Sequence, residues 1–106
     1  MSLRDVSERH ESILRELNEE RVAALTRISR TLEALIGQLE TLRVRIEGAA
    51  GGTSSRDVDE YERVRARAKQ YRWFLEVQRE ALGMRHHGFL DRFYAVPGPL
   101  PLTTHP

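Results

Sequence analysis

The side chains best placed to do chemistry are Arg63, Arg65, Arg67, Lys69 and Arg72, five cations in a stretch without an acid, with Tyr71 among them and Trp73 and Phe74 directly after. Cations beside planar rings suit a nucleic-acid contact, because phosphates take the charge while bases stack on the rings. On a helix, however, these five cations point around the circumference instead of forming one stripe, and acids precede and follow them. An ion-paired, solvated helix surface has the same composition. Sixteen acidic residues nearly cancel 17 basic ones, leaving a net charge of +1, so no overall field attracts polyanions. A nucleic-acid-binding helix pair using the five cations therefore stands as the alternative to the main reading.

Other groups with chemical potential are sparser. His86 and His87 are adjacent, so on a helix they diverge by about 100° and do not grip one metal ion together. His10 and His105 lie far from them in the sequence. The run Gly48 to Ser55 (GAAGGTSS) is glycine-rich but lacks the Lys-Ser/Thr ending of a phosphate-binding loop, and nothing before it reads as a strand. With no cysteine and no Gly-x-Ser-x-Gly, no nucleophile stands out. Arg21 falls among apolar seam positions, where a buried guanidinium would suit a small all-helical enzyme, but the stem of an Arg there commonly packs while its head reaches water. The expectation is a noncatalytic protein without cofactor or metal.

The elements that carry these residues are written in the apolar spacing. Leu25, Ile28, Leu32, Leu35, Leu39, Leu42, Ile46 and Ala49 follow at steps of 3, 4, 3, 4, 3, 4 and 3, an uninterrupted a/d seam. Such a seam belongs to a long helix packed along its length on another helix. Continued backward it meets Arg21, Leu17, Leu14, His10, Val6 and Leu3 with an eleven-residue rhythm, which straightens the supercoil. A first helix is predicted over about 4–47 and a loop over 48–56, with glycines ending one helix and Thr53, Ser54, Ser55 and Asp57 offering caps for the next. A second helix is predicted over about 57–82, its seam reading Tyr61, Val64, Ala68, Tyr71, Leu75, Gln78 and Leu82. Gly83 reads as a helix stop, 89–94 as a short helix, and the proline-alternating 95–106 as an extended tail, without a Pro-x-x-Pro ligand motif and with Leu100 and Leu102 available to pin it.

The fold expected is all-α: one domain, a long antiparallel hairpin resembling a coiled coil, with a short C-terminal helix and a tail. Tyr71, Trp73, Phe74, Val77 and Ala81 make the end of the second helix apolar over most of its circumference, more than one neighbouring helix can cover. This patch is read as an interface, and the chain as a homodimer forming a four-helix bundle. The expected function is a protein–protein interaction or scaffold module. No apolar run approaches a membrane span, so cytoplasm is the default location. Because the second helix is shorter than the first, the segment after Gly83 is expected to continue along the N-terminal third of the first helix and cover Leu14 and Leu17.

Overall fold

The computed structural model describes residues 2–101 and is helical, with no strand among the described residues. Helix α1 runs Leu3–Glu47, α2 runs Ser55–Ala81 and α3 runs Gly88–Phe93. The chain forms a rod measuring 78 × 22 × 16 Å. Ser2 caps α1, its hydroxyl accepting from the Asp5 amide at 3.2 Å, and satisfies one of the donors a helix start leaves open. Gly48 caps the other end, its N–H donating to the Val44 carbonyl at 2.9 Å. Ser54 stands at the N-cap of α2 without a side-chain cap bond, and the helix begins at Ser55, two residues before its expected start.

Helices α1 and α2 pack antiparallel on each other, and the seams interlock. Leu32, Leu35, Leu39 and Leu42 from α1 are buried against Tyr61, Ala68 and Leu75 from α2, with Leu25, Ile28, Ile46, Val64 and Tyr71 half-buried around them. Small Ala68 beside larger side chains lets the helices interdigitate. The end of α2 lies beside Arg21, whose Nη1 donates to the Ala81 carbonyl at 3.4 Å. About 27 Å of α1, from Leu3 to Arg21, therefore projects beyond the hairpin at a rise of about 1.5 Å per residue.

After α2 the chain turns back, contrary to the expected continuation along the first third of α1. The Met84 N–H donates to the Arg79 carbonyl and the Gly83 N–H to the Glu80 carbonyl, both at 2.9 Å, with Gly83 at φ +86°. This is a Schellman turn, which needs a left-handed residue and finds glycine there. Helix α3 and residues 95–101 then run toward the hairpin loop beside α1 and α2. Leu90 is buried in the common core, and Tyr94, Val96 and Leu100 pack against it. Three polar contacts record the direction: Tyr94 Oη donates to Glu33 at 3.2 Å, Arg65 Nε to the Pro97 carbonyl at 2.9 Å, and Tyr61 Oη to the Gly98 carbonyl at 2.7 Å. The reversal seats Leu90 over the α1–α2 groove, a burial that continuing beside a single helix would not provide. Residues 95–101 have no regular secondary structure. Leu102, expected to help pin the tail, and His105 lie outside the described residues.

Candidate functional site

The basic run of α2 is divided between structural and solvent-facing members. Arg65 and Arg72 are half-buried under the returning chain. Arg65 binds Pro97, while Arg72 forms ion pairs with Glu76 in its own helix and with Asp91 of α3 at 2.7 Å. Arg67 lies over the Tyr71 ring, 5.8 Å from its centroid. Arg63, Arg67 and Lys69 are exposed. Two of the five cations thus contact the C-terminal segment.

His86 and His87 are likewise drawn into the turn. His87 Nε2 lies 3.0 Å from Glu80 Oε1, and the His86 carbonyl accepts from Arg79 at 3.2 Å. No group of three metal-capable side chains occurs among the described residues. The glycine loop joins the two helices and is exposed from Gly48 to Arg56. Burial raises the pKa of Tyr94 above the usual phenol value, and the hydrogen bond and negative charge of Glu33 raise it further.

Of the proposed interface residues, Tyr71 packs against the core and meets Phe74 edge-on, 5.6 Å between centroids. Phe74 is half-buried and its ring centroid also lies 5.6 Å from that of Trp73. Trp73 is 58% exposed on the side of α2 turned away from α1, with Val77 one turn on and Ala81 a further turn on, both exposed. The returning segment does not close over this face. It reaches the edge of it, where Trp73, Arg72, Asp91 and Val96 line a shallow groove.

A longer uncovered face lies on α1. Residues eleven apart on a helix return to within about 20° of the same direction. Val6 and Leu17 therefore stand in line with Ile28 and buried Leu39, and Leu3 and Leu14 in line with Leu25. One apolar stripe runs the length of α1: from Leu25 onward it is the hairpin core, and before Arg21 it faces water. Val6 is 50% exposed, Leu14 47% and Leu17 43%, with exposed Ile13 at its edge. The eleven-residue rhythm marked this stripe in the sequence. What it did not disclose is that the chain's own C-terminal segment packs elsewhere.

No helix of the described residues is long and apolar enough to cross a membrane. Compared with protein-family models, curated proteins and solved structures, the chain matches none. The all-helical hairpin and its two uncovered faces are thus the basis for a functional reading.

Proposed function

We propose that this protein is a noncatalytic interaction module that works as a homo-oligomer of helical hairpins, holding protein chains together in the cytoplasm. The observation that carries the reading is the apolar stripe of α1, which is core along the hairpin and bare beyond it. Water-facing apolar stripes at helical spacing are what helix–helix association covers. The outer face of α2 around Trp73 adds a second apolar surface, with the residue type enriched among interface anchors.

Sedimentation equilibrium tests the reading. The expected mass is twice the 12.3 kDa of one chain, and a monomer persisting at high micromolar concentration contradicts it. The alternative, nucleic-acid binding by Arg63, Arg65, Arg67, Lys69 and Arg72, is disfavoured by the engagement of Arg65 and Arg72 with Pro97, Glu76 and Asp91. Retention on DNA or RNA that weakens steeply with salt would revive it.

A further inference from the structure

Resting on that homo-oligomeric reading, we infer that the occupant of the bare α1 stripe is the same stripe of a second copy, the two overhangs crossing antiparallel from Leu3 to Arg21 about a twofold axis near Ile13. Continuity with the intramolecular interface gives the first argument. The stripe from Leu25 onward is covered by α2, which runs antiparallel to α1 and stops at Ala81 beside Arg21. A partner overhang laid antiparallel on the first part of α1 takes up the line of α2 where α2 ends, so the seam passes from an intrachain to an interchain partner.

Bulk fixes direction and extent. In a parallel pair the two stripes would face each other along the whole of α1, and both α2 helices would claim the same space. In an antiparallel pair each overhang can advance only until its first turn reaches the partner's Ala81. That limit gives an overlap of about 27 Å and makes facing residue numbers sum to about 25, given the helical rise. The partner's α1 then starts where α2 stops and runs in the same direction, bringing helix ends of opposite partial charge together.

Charge complementarity gives the third argument. At this register Glu11 comes opposite Arg15 of the second copy on one flank of the seam, a pair that occurs twice by symmetry. Ile13 lies by the axis and meets its own equivalent, while Val6 approaches the second Leu17. The junction is two-stranded, and the assembly is longer than the four-helix bundle in which two α2 outer faces would pair around Trp73. Its greatest dimension is roughly 130 Å, twice the 78 Å rod less the overlap.

The chain has no cysteine, so single cysteines report the contact cleanly. Under oxidation Ile13→Cys is expected to give a disulfide-linked dimer, because Cα atoms must come within about 7 Å for the bond to close. Val77→Cys, on the outer face of α2, is expected to stay largely unlinked. Small-angle scattering of the unmodified dimer should show the 130 Å dimension instead of one near the length of a single rod. Glu11→Arg should weaken dimerisation roughly 3- to 10-fold, as for two exposed ion pairs, and adding Arg15→Glu should restore it. A dimer that links through Val77→Cys, fails to link through Ile13→Cys, or has the dimension of one rod overturns this inference while leaving the homo-oligomer. A monomer by sedimentation overturns both.

Discussion

Leu90→Ala should be the most informative single change in the C-terminal segment. Leu90 is 1% exposed and is the buried residue of α3, sharing the core with Leu32, Leu39 and Leu75. Truncating a buried leucine costs about 2–5 kcal/mol, with larger values where the surroundings cannot close around the gap. A six-residue helix tied down at Arg72–Asp91 and Tyr94–Glu33 has some freedom to shift, which places the expected loss at about 2–3 kcal/mol. For a domain of this size that is a fall of roughly 8–20 °C in melting temperature. Thermal unfolding followed by circular dichroism at fixed protein concentration measures it, since association makes melting concentration-dependent. Hydrogen exchange should quicken at the Tyr94 amide, which donates to the Leu90 carbonyl at 2.8 Å. A change under 0.5 kcal/mol, with exchange unaltered, would refute the placement of α3 over the hairpin groove.

Two further outcomes follow from local geometry. Gly83→Ala places a side chain at φ +86° and should destabilise the protein by about 1–2 kcal/mol in denaturant titration, whereas a neutral result would mean the Schellman turn does not set the reversal. Because the folded pKa of Tyr94 is raised, its contribution to stability is complete below the usual phenol pKa near 10 and is lost as pH rises through the folded value. Tyrosinate absorbance, with Tyr94→Phe identifying the signal, should show the midpoint falling in Glu33→Gln, and an unmoved midpoint would dismiss Glu33 as a cause.

The hairpin was legible because its information is local and periodic. Leu32, Leu35, Leu39 and Leu42 announce one face of a long helix, glycines end it, and Tyr61, Ala68 and Leu75 repeat the spacing. The position of the C-terminal segment was not legible. Gly83 signals a turn but does not give the direction in which the chain leaves it, and four apolar residues within 89–94 do not say which one will be buried. Leu90 is, whereas Phe89 and Phe93 remain exposed, with ring centroids 4.7 Å apart. The roles of Arg65 and Arg72 were hidden for the same reason: their partners Pro97 and Asp91 are 32 and 19 residues away in sequence. Read locally, the two arginines belong to a basic run. In the fold they hold the returning chain, and that return leaves α1 bare from Leu3 to about Arg21.

If the bare N-terminal part of α1 is the self-association site, a chain without it no longer dimerises. A chain beginning at Arg21 retains the whole α1–α2 packing, the contact of Arg21 with Ala81 and the docked C-terminal segment. It should unfold cooperatively as a helical protein and sediment as a monomer at concentrations where the full chain is a dimer. A shortened chain that folds and still dimerises with undiminished affinity would contradict the account.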